Sequence, residues 1–340
     1  MKKLLLASTA LIGLAGAAAA DVTVSGYGRF GLNYNDGAAV GMSKTTVDMR
    51  MRLNIDGSVE TDSGVTFGGR VRLQYDEGNA TTNTAPAMLY VSYEGIRVEV
   101  GNSNTAYDSA ALMYNSEIGY TDRGAGDPQG AFLAYNSGPY GDGIDCGLGT
   151  PAPTACTYDA TLDESNRMGI MASYSVGDFN ARISYINPDQ TVKSSTLPVG
   201  VKSETGISLD YTFGQITVSA AAVQNGAFLD GNDQYFLGAE YAINSDANVG
   251  ILYFDNGDFT NGTGLDEGEQ VTLYGNYTQG AITYKAYVSN WDNPNFGAGM
   301  TDTAYGLGLD YDLGGARLAA DIHRTYAKDT VAGLGVRFDF

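Results

Sequence analysis

Five arginines lie at alternate positions on stretches whose intervening residues are apolar or glycine: Arg29, Arg50, Arg52, Arg70 and Arg72. A period of two places each of them on the polar face of a strand, where together they form a positive patch. A long segment further along the chain supplies four carboxylates, Asp108, Glu117, Asp122 and Asp127. If this segment folds against the patch, the field between the two sets orients polar solutes. The alternatives are a solvated wall without a special role and an external acidic loop.

The only histidine, His323, gives little support to catalysis. Hydrolysis by a serine or aspartate nucleophile needs a base, usually histidine, beside it. His323 stands next to Arg324 near the end of a predicted strand, where a lone histidine is expected to be a surface residue. The pairs Gly26-x-Gly28 and Gly306-x-Gly308 lie within strand patterns that no helix follows. They therefore do not predict nucleotide binding.

A hairpin over residues 44–76 carries four of the arginines. Its polar positions alternate with an apolar, charge-free row that includes Val47, Met49, Met51 and Leu53. Residues 61–64 predict a tight turn, after which the alternation resumes. Both strands are longer than the usual five or six residues, and tilted strands of about 9–11 residues span a bilayer. A soluble half-buried hairpin explains one such pattern equally well, so the interpretation depends on repetition.

The same alternation recurs along the chain, with short and long connections in turn. Outer-membrane barrels show this asymmetry, with short turns on the periplasmic side and longer loops outside. All eight prolines fall in the long connections, as expected where each strand must donate hydrogen bonds to its neighbours. The pattern lapses over 102–166, and residues 131–135 are assigned to that connection. The sequence thus predicts an all-β, 16-stranded antiparallel transmembrane β-barrel.

The N-terminus predicts export. Residues 1–20 have two lysines, an apolar run too short to span a membrane, and a small-residue site before Asp21. We expect a signal peptide over 1–20 and a barrel over 21–340. The formal net charge of −20 argues against nucleic acid as a partner, because phosphate contacts need lysine and arginine.

Two cysteines, Cys146 and Cys156, lie in the long connection. In an exported protein a disulfide is the default for such a pair, and their spacing allows one. The stretch 255–269 is rich in oxygen ligands but lacks the spacing of a calcium loop. We expect no cofactor, and calcium between acidic loop residues stays an open alternative.

Three stretches and the last residue resemble a known family. The stretches are 21–26 (Asp-Val-Thr-Val-Ser-Gly), 61–64 (Thr-Asp-Ser-Gly) and 117–122 (Glu-Ile-Gly-Tyr-Thr-Asp), and Phe340 resembles an outer-membrane assembly signal. Together they resemble the general diffusion porins of Gram-negative bacteria, most closely the alphaproteobacterial, Rhodobacter-like family. The resemblance implies a homotrimer in outer-membrane lipid, with a third loop, here 102–166, folded into each lumen. The insert that contains Cys146 and Cys156 departs from the family pattern in this loop.

The predicted function is a water-filled channel for passive diffusion of small hydrophilic solutes and ions. Sixteen strands leave an aqueous lumen, whereas eight are filled by side chains. The lumen's bore and charges then decide what passes. An outer-membrane barrel enzyme and a secreted β-rich adhesin are the alternatives. An adhesin, however, does not need a charge-free outer face on so many strands.

Overall fold

The computed structural model describes residues 20–140, 164–259 and 265–340, and one antiparallel sheet of sixteen long strands dominates it. The strands are β1 (Asp21–Asn35), β2 (Thr45–Glu60), β3 (Thr66–Asp76), β4 (Met88–Tyr93), β5 (Ile96–Gly101), β6 (Met168–Val176), β7 (Phe179–Asn187), β8 (Glu204–Phe213), β9 (Ile216–Gln224), β10 (Gln234–Asn244), β11 (Ala247–Asp255), β12 (Glu269–Gln279), β13 (Ile282–Asp292), β14 (Thr303–Asp312), β15 (Arg317–Arg324) and β16 (Thr330–Asp339).

The connections hold only short regular elements. Two-residue strands occur at Asn83–Thr84, Asp258–Phe259 and Leu265–Asp266, and single-turn 3-10 helices at Glu164–Asn166, Ser194–Thr196 and Gly226–Phe228. Within the three described ranges, no helix has the length and apolarity needed to cross a membrane.

The sheet closes on itself because β1 pairs with β16 as well as with β2. The seam runs from Tyr27 opposite Asp339 to Asn35 opposite Val331. Each strand is otherwise bonded to its neighbours in sequence, so none of the sixteen described strands leaves a long edge unpaired. The predicted sixteen-stranded barrel is confirmed, and residues 131–135 form no strand and belong to the long connection, as predicted.

The two faces of the wall differ as the alternation predicts. On β2 the side chains of Val47, Met49 and Met51 are exposed on the outer face. Arg50 and Arg52 point to the other face, where they bond to side chains of β3. Exposed apolar side chains recur on the outer face of the other strands, among them Leu237, Leu307 and Leu334. A continuous exposed apolar band of this kind suits lipid rather than water.

Short turns alternate with long connections around the barrel. The tightest turns are two residues long, at 94–95, 177–178, 214–215, 245–246 and 280–281. Gly177 and Gly280 adopt φ values of +56° and +62°, which glycine reaches without a steric penalty. The longest connection runs from β5 to β6, and only its two ends are described.

The main buried apolar cluster lies between this long connection and the inner face of the wall. Tyr107, Leu112, Met113 and Ile118 of the connection pack against wall residues that include Phe236, Leu252, Phe254 and Tyr287. The wall residues alternate with exposed apolar neighbours on their strands. The cluster therefore fixes the connection to the face opposite the lipid.

Candidate functional site

The site is built around residues 102–140, which we call the 102–140 segment. Ile118 and Arg123 exchange two backbone hydrogen bonds, at 2.9 and 3.1 Å, and close a tight turn. Within it Gly119 and Asp122 have φ values of +78° and +48°. Glycine takes this conformation freely, and aspartate tolerates it better than most residues do. The turn directs the Asp122 carboxylate towards β15 and β16.

Hydrogen bonds hold the segment to the inner face at many points. Three join a backbone N–H of the segment to a side-chain oxygen of the wall, each at 2.9 Å: Ala106 to Ser184, Ala111 to Asp210 and Leu133 to Glu204. Each N–H thereby gains the partner that a buried backbone donor requires. The segment is thus fixed by β7 and β8 through side chains that the alternation places inside.

Three of the five predicted arginines form ion pairs with carboxylates on neighbouring strands. The pairs are Arg29 with Asp48 at 3.3 Å, Arg70 with Asp56 at 2.8 Å, and Arg50 with Asp76. Arg29 also donates to the carbonyl oxygen of Thr121 in the segment at 2.9 Å. These three guanidinium charges are therefore largely balanced locally.

Arg52 and Arg72 have neutral partners instead. Their Nε atoms donate to the side-chain oxygens of Gln74 at 2.6 Å and Asn54 at 2.8 Å. One further nitrogen of each donates to Ser137 Oγ of the segment, at 3.2 and 2.9 Å. A neutral oxygen satisfies a donor without cancelling its charge. Over the described ranges, these two side chains form no ion pair and keep a net positive charge.

The sequence analysis missed two arginines of the site, Arg317 and Arg337. The strand register places Arg317, Arg337, Arg29 and Arg50 directly opposite one another on four consecutive strands, β15, β16, β1 and β2. The segment's Asp122 forms ion pairs with both missed arginines. The same two-residue alternation that selected Arg50 could have selected them.

The other predicted acidic residues lie in less polar surroundings. Asp108 accepts hydrogen bonds from Tyr114 Oη at 2.6 Å and Asn104 Nδ2 at 2.7 Å. Burial, with repulsion from nearby carboxylates such as Asp127, raises the pKa of Glu117 to about 9. Burial raises the pKa of Asp127 to about 8. Within the described chain, none of the four predicted acids forms an ion pair with the five predicted arginines.

Comparisons with known proteins identify the family. A family profile described as Gram-negative porin matches residues 7–330. The chain is 42% identical over 323 residues to the porin of Fuscovulum blasticum, covering 94% of this chain and 100% of that protein. Two engineered variants of the Rh. blastica porin match with a TM-score of 0.81 at 40% and 41% identity, covering 94% of this chain and 100% of theirs. The chain belongs to the Gram-negative porin family.

As a porin, the protein is an outer-membrane channel through which small hydrophilic solutes and ions diffuse passively. The predicted family, location and function are confirmed, and the protein is not an enzyme. Porins in general need no cofactor. No group of three or more His, Cys, Asp or Glu residues is arranged for a metal within the described ranges, which omit 260–264.

Two predictions about single residues have different outcomes in this porin. His323 does lie near the end of a strand, but the expectation that it is a surface residue is wrong, because only 4% of it is exposed. Side chains of β13 and β15 cover it on the inner face. Cys146 and Cys156 lie outside the described residues, so their predicted disulfide stays a prediction.

Proposed function

We propose that the 102–140 segment lies in the lumen and forms the constriction that sets which solutes pass. The supporting observation is the spread of its partners around the wall. It bonds to Arg29 of β1, Arg72 of β3, Asp210 of β8 and Asp321 of β15. All these side chains lie on the inner face of a closed sheet. A segment that reaches such separate strands must cross the enclosed space.

We infer that the constriction carries a transverse field. Arg52 and Arg72 supply the uncompensated positive charge on β2 and β3. At neutral pH Glu117 and Asp127, whose pKa values are raised by burial to about 9 and about 8, are mostly protonated, so they add polar groups rather than negative charge and the field comes mainly from the two arginines. Polar solutes align in such a field, whereas apolar solutes must displace oriented water without compensation. Arg50 and Arg70 contribute less than predicted from sequence, because their charges are paired.

We further propose that residues 1–20 are cleaved, that the barrel domain spans 21–340, and that the constriction loop extends over 102–166. We also propose a Cys146–Cys156 disulfide and a homotrimer. A single-channel record with closure in three equal steps would support the trimer. Heat stability that rises with calcium and falls again with chelator would support calcium at residues 255–269.

Accessibility of Ser137 tests the constriction directly. A Ser137→Cys variant, made with Cys146 and Cys156 replaced by serine, is treated with a charged methanethiosulfonate reagent during bilayer recording. Because Ser137 contacts both uncompensated arginines, we expect stepwise loss of conductance on modification. Ser63→Cys in the turn between β2 and β3 is the matched control and should leave conductance unchanged. Unchanged conductance after complete modification at 137 would place the segment outside the ion path.

A further inference from the structure

The one histidine of the chain joins the segment to the wall through a run of hydrogen bonds. His323 Nδ1 lies 2.8 Å from Tyr287 Oη of β13, and its Nε2 lies 2.8 Å from Asp321 Oδ2 of β15. His323 is 4% exposed, and the Asp321 side chain is fully buried. Polar groups buried to this degree need their partners satisfied. The arrangement therefore depends on which atoms carry the protons.

The contacts assign those protons. An ionised carboxylate only accepts, so the hydrogen between His323 and Asp321 belongs to Nε2, and Nδ1 of the neutral ring accepts from the Tyr287 hydroxyl. The Tyr287 oxygen in turn accepts the backbone N–H of Ala125 at 2.9 Å. Arg123 donates to the same Asp321 oxygen through Nη2 at 2.9 Å and Nε at 3.2 Å. Both ends of the run thus terminate on the segment.

Protonation of the ring would upset this arrangement at two points. Nδ1 would become a donor, so the Tyr287 oxygen would accept from both His323 and Ala125, and its own proton would lose its acceptor. Asp321 would also be shared between two cations, His323 and Arg123, which leaves one uncompensated positive charge in a buried place. Both effects weaken the bonds that hold residues 123–125.

Among the residues that the structure describes, the ring bonds only to Tyr287 and Asp321, so no further charged group is bonded to it to compensate for that change. β14 places Gly306 opposite His323, and β16 places Val331 there. β13 contributes the Tyr287 hydroxyl. The segment contributes Arg123, which is already bonded to Asp321, and Asp127, which is close enough to act on Tyr287 electrostatically. A positive charge on the ring therefore acts mainly on the hydrogen bonds that Tyr287 and Asp321 make to the segment.

We propose that Asp321, His323 and Tyr287 are positioning residues that hold the Arg123–Ala125 turn in place while the ring is neutral and release it when the ring is protonated. Histidine is the side chain whose charge ordinarily changes between pH 5 and 8. Comparing pH 7.5 with pH 5.5 therefore tests the proposed release of the turn. The effect on current rests on the proposed role of the 102–140 segment as the constriction, whereas the effect on local stability does not.

Hydrogen exchange of the folded, detergent-solubilised protein tests whether the ring holds the Arg123–Ala125 turn. Exchange of a peptide spanning residues 123–127 is compared between wild type and His323→Gln at pH 7.5 and 5.5, so that the intrinsic pH dependence of exchange cancels. Glutamine keeps a neutral donor for Asp321 and does not titrate. We expect the ratio of wild-type to variant exchange to rise roughly fivefold at the lower pH, the change for losing one net hydrogen bond. An unchanged ratio would overturn the proposal.

Two tyrosine variants separate positioning by the histidine from simple packing. Tyr287→Phe removes the hydroxyl between His323 and Ala125. The 123–127 peptide should then exchange fast at both pH values, so the difference in exchange between pH 7.5 and 5.5, which we call the pH step, should vanish. Tyr326→Phe is the matched control, because Tyr326 donates to the carbonyl oxygen of Ala125 at 2.9 Å without touching the histidine. It should exchange faster but keep the pH step. A step that persists in Tyr287→Phe, or is lost in Tyr326→Phe, would refute the assignment.

Bilayer recordings of the same proteins extend the test to the channel. Wild type and Tyr326→Phe should show greater open-channel current noise at pH 5.5 than at 7.5, and His323→Gln should not. If exchange depends on pH as expected but current noise does not, the positioning role stands and the constriction role of the segment fails. If neither depends on pH, the positioning role is refuted.

Discussion

Replacing Arg52 by glutamine is expected to raise the preference of the channel for cations over anions. Arg52 contacts Gln74 and Ser137, both neutral, so its charge acts on passing ions without local compensation. Glutamine removes that charge and keeps a polar side chain of moderate length. The substitution therefore changes the field with little change in bore.

Coulomb's law gives the size of the effect. An ion passing about 5 Å from the guanidinium in water-like surroundings interacts with it by about 0.8 kcal/mol. Screening at about 0.1 M salt, where the Debye length is about 10 Å, lowers this to about 0.5 kcal/mol. Cations and anions change in opposite directions, so their permeability ratio shifts by about 1 kcal/mol, or roughly fivefold.

Reversal potentials across a planar bilayer under a salt gradient measure this ratio. The matched control is the double variant Arg50→Gln with Asp76→Asn, which removes an ion pair at the same level of the wall and leaves the net charge unchanged. It should shift the ratio far less than Arg52→Gln does. Equal shifts in the two proteins, or no shift with Arg52→Gln, would refute the distinction between paired and unpaired arginines.

Three further predictions follow from the wall and the segment. Leu307→Arg, at an exposed outer position in mid-strand, should lower the unfolding free energy in lipid vesicles by about 2–4 kcal/mol, measured by urea titration. Gly335→Ala would place a Cβ 2.6 Å from the Tyr120 ring and should alter single-channel conductance, whereas Gly297→Ala, with nothing within 4 Å, should not. Glu117 has a raised pKa in the fold, so its stabilising contribution is present at low pH and is lost as pH rises towards about 9; Glu117→Gln should flatten that fall in melting temperature.

Alternation made the wall predictable because each strand lies between two different solvents. Val47 and Met49 must face lipid while Arg50 faces water, so apolar and polar residues alternate along the strand and can be recognised in the sequence. Strand ends were less certain: the hairpin was predicted over 44–76 with a turn at 61–64, and its strands span Thr45–Glu60 and Thr66–Asp76. Hydrogen bonding at a strand end depends on the neighbouring strand, which a single stretch does not reveal.

Pair partners within the site could not be predicted in the same way. Arg50 lies opposite Asp76, and Arg52 lies opposite Gln74, because of the length of the turn after β2. One residue more or fewer in that turn would set both arginines opposite the lipid-facing positions of β3 and turn the polar side chains of β3 away from the inner face. The bond from Arg123 to Asp321 joins residues 198 positions apart, and no local pattern records it.

The partners of the 102–140 segment have a consequence for assembly. Ala106 bonds to a residue 78 positions further along the chain, and Asp122 to one 215 positions further. Contacts at such separation form late, because the chain between them must first be ordered. The segment can dock only once β7 to β16 are in place. A barrel that has closed before the segment has docked should therefore have a wider lumen than the finished porin. The slower the segment docks after barrel closure, the longer the outer membrane should stay more permeable.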